Sequence, residues 1–82
     1  MKKILAKILN GTSDKNIDFL DLRKLILSFE FNERIKGAHF IYSKNGIMEI
    51  INIQPAAGGK AKPYQVKQLR NLIIRYKLNK GK

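Results

Sequence analysis

His39 is the only histidine in the 82-residue chain. It lies in Ile35-Lys36-Gly37-Ala38-His39-Phe40-Ile41-Tyr42, between a glycine turn and a strand-forming run. An imidazole gains and loses a proton near neutral pH, so this side chain is the candidate for general acid–base catalysis. A lone histidine on a strand is also a common hydrogen-bonded structural residue, so the case for chemistry rests on its surroundings. The clearest of these is the loop Gln54-Pro55-Ala56-Ala57-Gly58-Gly59-Lys60-Ala61-Lys62, which ends in two lysines immediately before Pro63. Proline suits the first position of a helix, where its missing N–H removes no bond. Lys60, Lys62 and the amides of that first turn together make an anion site suited to phosphate.

Charge points to the same kind of partner. Lys and Arg total 17 against six acids, a formal charge of +11. All six acids lie at or before Glu49; Lys60, Lys62, Lys67, Arg70, Arg75, Lys77, Lys80 and Lys82 follow with no acid among them. A field of one sign on so small a body favours a polyanion, with nucleic acid ahead of anionic lipid. The chain has no cysteine, which excludes disulfides and thiolate metal sites and fits the cytoplasm. One histidine and scattered carboxylates give no metal-ligand spacing, so neither a metal nor a small-molecule cofactor is expected. No apolar run is long enough to cross a membrane. The Met1–Ala6 start is broken by Lys7 and followed by polar Asn10–Asp14, which argues against a signal peptide.

The elements that must position these groups follow from hydrophobic periodicity. Ile4, Leu5, Ile8 and Leu9 make one stripe of a short helix over 3–9, ended by Asn10-Gly11. A second helix begins near Ile17, with Asp18 as cap and Asp21 in its first turn. Phe19, Leu22, Leu25, Ile26 and Phe29 form its core face, while Leu20 and Leu27 fall opposite and need a cover, from the first helix or a partner. Strands are predicted over 31–35, 39–43 and 47–53, with Asn45-Gly46 as a hairpin turn. A two-residue turn would set Ile41 opposite Ile50 and His39 opposite Asn52. One face would then carry His39, Ile41, Ile50 and Asn52, the other Phe40, Tyr42, Glu49 and Ile51. Alternation leaves open which face is buried. Asn52 is the side chain best placed to orient the imidazole. The last helix buries Val66, Leu69, Leu72, Ile73 and Tyr76 and sends Lys67, Arg70 and Lys77 to solvent. The result is a single α+β domain, helix–three-stranded antiparallel sheet–helix, with a short extra N-terminal helix.

This order of elements and the Lys-Ala-Lys loop resemble the double-stranded-RNA-binding-domain fold. A closer likeness is to the HicA family of toxins, the small ribonucleases of bacterial toxin–antitoxin modules. It is carried by four blocks in order: Ile17-Asp18-Phe19-Leu20-Asp21-Leu22, Gly37-Ala38-His39-Phe40-Ile41-Tyr42, Ile50-Ile51-Asn52-Ile53-Gln54-Pro55, and the run from Gly59 to Arg70. The chain divides accordingly into an N-terminal mini-helix and connector (1–16), a HicA-like core (17–78) and a basic tail (79–82). The family pattern is Gly-Ser-His with a catalytic histidine; Gly37 and His39 match, while Ala38 stands in place of the serine and lacks its hydroxyl. The resemblance implies a double-stranded-RNA-binding type of fold, messenger-RNA cleavage and a HicB-type antitoxin that covers the active site.

The mechanism expected on this basis has Lys36, Lys60 and Lys62, helped by Lys67 and Arg70, holding the RNA backbone. Gly37 and Asn52 orient His39, which takes a proton from a 2′-hydroxyl or donates one to the leaving oxygen. Lys36, Tyr42 or water would serve the other half-reaction. A non-catalytic RNA-binding module, with His39 structural or stacking, is the alternative. A third reading is an interaction protein that docks an acidic partner on its Leu20/Leu27 face and basic helix.

Overall fold

A computed structural model describes residues 1–80. Of the expected basic tail, Gly81 and Lys82 lie outside the described residues. Helix α1 (Lys2–Asn10) leads through a 3-10 turn at Asp14–Asn16 to α2 (Phe19–Ser28). Strands β1 (Asn32–Lys36), β2 (His39–Lys44) and β3 (Ile47–Ile53) follow, then a 3-10 turn at Ala57–Gly59 and α3 (Pro63–Tyr76). The sheet is antiparallel in the order β1-β2-β3. The fold is α+β, helix–sheet–helix with one helix before it.

The helices form where the apolar stripes predict and bury those stripes together. Ile8 of α1, Leu22, Leu25 and Ile26 of α2, and Val66, Leu69 and Ile73 of α3 are all at or within 1% of full burial. Gly11 ends α1 with a positive φ of 78°, a left-handed backbone state in which any other side chain would be strained. Asp18 occupies the N-cap position of α2 but makes no side-chain cap bond. Its carboxylate instead receives Lys60 Nζ at 2.9 Å, a charge-assisted bond that outcompetes a neutral amide. Leu20 remains 60% exposed and Leu27 37%, so α1 does not cover the outer face of α2.

The hairpin departs from the expected register. Lys44 pairs with Ile47 across Asn45-Gly46, but the ladder then shifts so that Tyr42 pairs with Ile51, Ile41 with Asn52 and Phe40 with Ile53. Gly46 alone of the turn pair takes a positive φ, 88°, whereas the turn that matches strand twist needs positive φ at both positions. A bulge between Tyr42 and Lys44 absorbs the mismatch. The shift is of two residues, so each side chain keeps its face.

Burial decides between the two faces. Tyr42, Ile51 and Ile53 are fully buried beneath the helices, and Phe40 packs edge-on to Phe19 at 4.9 Å between ring centroids. His39, Ile41, Ile50 and Asn52 therefore lie on the open face. The 54–62 loop is pinned. Ala61 N–H donates to the Ile17 carbonyl at 2.8 Å, Ala56 N–H to that of Lys60 at 2.7 Å, and Ala61 is buried.

Candidate active site

His39 opens β2 directly after the Gly37-Ala38 turn, in register with Lys36 at the end of β1. Gly37 holds a positive φ of 60°, the backbone state that makes so short a reversal possible. The imidazole is exposed and both of its nitrogens are engaged. Nδ1 lies 3.1 Å from Asn52 Oδ1, and Nε2 lies 3.1 Å from Gln54 Nε2. Asn52 is not the backbone partner of His39, as the simple hairpin would have it; it pairs with Ile41 and reaches the ring diagonally.

The donors and acceptors in this chain fix the tautomer. Lys62 Nζ can only donate, and it meets Gln54 Oε1 at 3.0 Å. Gln54 must then turn its amide N–H₂ toward His39, where it donates to an unprotonated Nε2. Nδ1 carries the hydrogen and donates it to Asn52 Oδ1. The neutral ring thus leaves Nε2 as its accepting nitrogen, with the lone pair taken by the Gln54 amide. Gln54 is itself held, since its backbone N–H donates to Gln65 Oε1 at 3.2 Å and Gln65 is buried. His39, Ile50, Asn52 and Gln54 line a cleft of about 260 Å³ that Tyr64, Gln65 and Gln68 of α3 complete.

The expected cations divide into two groups. Lys36 and Lys67 are exposed, and Lys62 faces only the neutral Gln54. None of the three has an ion-pair partner among the described residues. Lys60 is bound to Asp18 and Asn16, both at 2.9 Å. Arg70 is not on the solvent side. Its guanidinium turns inward to Asp14, at 2.9 and 3.1 Å, and to the Ile8 carbonyl at 3.1 Å, locking α1 and the connector onto α3. The helix-start amides are also fewer than expected, because Gln65 and Val66 both donate to the Lys62 carbonyl and Pro63 has no N–H.

Tyr42 is removed from the acid–base candidates. It is fully buried on the core face and donates to Glu33 Oε2 at 2.7 Å. Burial, and then the neighbouring carboxylate, push its phenol well above the ordinary range. Gln54, Tyr64 and Gln65 escaped the sequence reading. The alternation that places Asn52 on the His39 face continues to Gln54, and that signal was sufficient to find it; the two α3 residues carry no comparable mark. Among the described residues no cluster of three or more His, Cys, Asp or Glu side chains is placed to hold a metal ion. No helix among them is long and apolar enough to cross a membrane. Comparison with protein-family models, curated proteins and solved structures finds no match to this chain.

Proposed function

We propose that this protein is a metal-independent endoribonuclease toxin of the HicA type, on a double-stranded-RNA-binding-like fold. In this reading it cuts messenger RNA in the cytoplasm, needs no cofactor and is silenced by a HicB-type antitoxin seated over His39. The observation that carries the reading is the imidazole itself: anchored at Nδ1 by Asn52, with Nε2 at the cleft covered only by the neutral Gln54 amide, beside the unneutralised Lys62.

The step runs as follows. RNA displaces Gln54 from Nε2, and Lys62, Lys36 and Lys67 hold the phosphates. Nε2 takes the 2′-hydroxyl proton as that oxygen bonds to phosphorus; the P–O5′ bond breaks, and the leaving oxygen collects a proton from Lys36 or water. The products are a 2′,3′-cyclic phosphate and a 5′-hydroxyl. With Tyr42 sealed beneath the sheet, Lys36 and water remain for the second proton.

One observation favours a non-catalytic RNA-binding module: both ring nitrogens already have side-chain partners, as a structural histidine would. Cleavage of single-stranded and duplex RNA in chelator at low salt separates the two. Wild type should yield cyclic-phosphate ends and His39→Ala should bind RNA without cutting it. RNA left whole by wild type under conditions where it binds would sink the nuclease reading.

A further inference from the structure

We propose that the surface leading from the His39 cleft along α3 is a nucleobase subsite for single-stranded RNA, in which a base beside the scissile phosphate stacks on Tyr64. The proposal rests on the ribonuclease reading and specifies the form of substrate that the site takes.

Tyr64 is 65% exposed, whereas the other two tyrosines are bound to carboxylates, Tyr42 to Glu33 and Tyr76 to Glu49. Packing does not require its ring, because Val66, Leu69, Leu72 and Ile73 supply the buried face of α3. Yet the ring is positioned. Gln65 Nε2 donates to the Tyr64 hydroxyl at 3.3 Å, and Gln65 is buried and tied through Oε1 to the backbone of Gln54. The residue that holds Tyr64 thus also holds the residue that contacts the imidazole.

Tyr64 and Gln68 line two adjoining depressions: the His39 cleft and a wider groove of about 600 Å³ that Lys67 and Asn71 also border. An exposed aromatic face stacks on any unpaired base. The carboxamides of Gln68 and Asn71 offer both a donor and an acceptor to a base edge. Lys67 is left for the next phosphate along the strand. A base held in a duplex cannot turn out onto Tyr64 without breaking its pair, so this surface selects unpaired strand.

The test uses the His39→Ala protein, so that bound RNA stays intact. Single-stranded oligonucleotides carrying 2-aminopurine at successive positions should be quenched on binding at one of them. Tyr64→Ala in the same background should abolish the quench and weaken single-strand binding by about 5- to 150-fold. It should leave duplex affinity and the melting temperature unchanged, and Tyr64→Phe should retain both quench and affinity. Equal affinity and equal quench in Tyr64→Ala would overturn the proposal. This binding measurement needs no turnover, so a failure of the cleavage assay removes the nuclease reading without deciding the subsite.

Discussion

The two faces of the sheet carry hydrogen-bond networks of opposite character. On the core side, the Glu33 carboxylate receives Arg23 through Nε at 2.8 Å and Nη2 at 2.9 Å, and the Tyr42 hydroxyl at 2.7 Å. Arg23 also lies over the Phe40 ring, 5.2 Å from its centroid. Full charges, short bonds and low solvent access make this cluster costly to disturb. On the open side, His39, Asn52 and Gln54 are linked by bonds of 3.0–3.1 Å in which Lys62 is the only charged member. Water can replace each of these bonds at little net loss. One network fixes the sheet on the helices; the other holds an imidazole in one tautomer while leaving it free to exchange partners. The contrast separates a network that stabilises the fold from one whose side chains stay exchangeable, within a few residues of the same strands.

Substitutions should split along that line. His39→Ala should lower cleavage by about 10²- to 10⁴-fold, the usual share of a general acid–base group. It should leave the melting temperature nearly unchanged; a loss of stability matching the loss of rate would erase the distinction between the networks. Glu33→Ala should do the reverse. It leaves the buried Tyr42 hydroxyl without its acceptor, at a cost of about 1–3 kcal/mol, or a fall in Tm of about 5–20 °C, with little change in the rate of the folded fraction. Its pH dependence sharpens the point. The Arg23 bond, followed by that from Tyr42, holds the Glu33 carboxyl below the usual range. The resulting stability is present above the unfolded-state value of about 4.3 and is lost as pH falls through the lowered one. Thermal melts should therefore show an acid limb below about pH 4.5 that Glu33→Gln flattens in part. The Asp18 and Glu49 carboxyls, lowered chiefly by Lys60 and Tyr76 respectively, add smaller shares because solvent screens them.

Smaller effects test the cations and the orienting amide. Asn52→Ala should reduce the rate about tenfold with unchanged RNA affinity, because it frees Nδ1 and with it the tautomer. Lys67→Ala should weaken RNA binding modestly and reduce the salt dependence of affinity by about one unit of slope. Arg70→Ala should lower stability and leave that slope intact. A slope that fell for Arg70→Ala instead would return it to the RNA-binding surface.

Much of this architecture can be read from short windows of the chain. The stripe Phe19, Leu22, Leu25, Ile26 and Phe29 specifies a helix because 3.6-residue periodicity leaves it no other way to bury those side chains together. Asn45-Gly46 marks the hairpin, and an even-numbered bulge could move the register without moving His39 and Asn52 to different faces. The same windows mislead where a side chain finds its partner far along the chain. Arg70 looks like one of a row of solvent-facing cations on α3, but its carboxylate lies 56 residues away at Asp14. Lys60 looks free at the end of a glycine loop, but Asp18, 42 residues earlier, takes its charge.

By itself the sequence determined the three helices and three strands, the concentration of positive charge after Glu49, and the isolation of a single imidazole at the head of a strand. These follow from local periodicity and composition, which act over a few residues. Tertiary structure alone decided which sheet face closes over the core, which lysines keep their charge unspent, and that Tyr64 and Gln65 of α3 complete the cleft beside His39. Alternation is symmetric between two faces, and charges pair with whatever packing brings near. Only the docking of α2 and α3 breaks that symmetry, by burying Tyr42 and leaving His39 in the open.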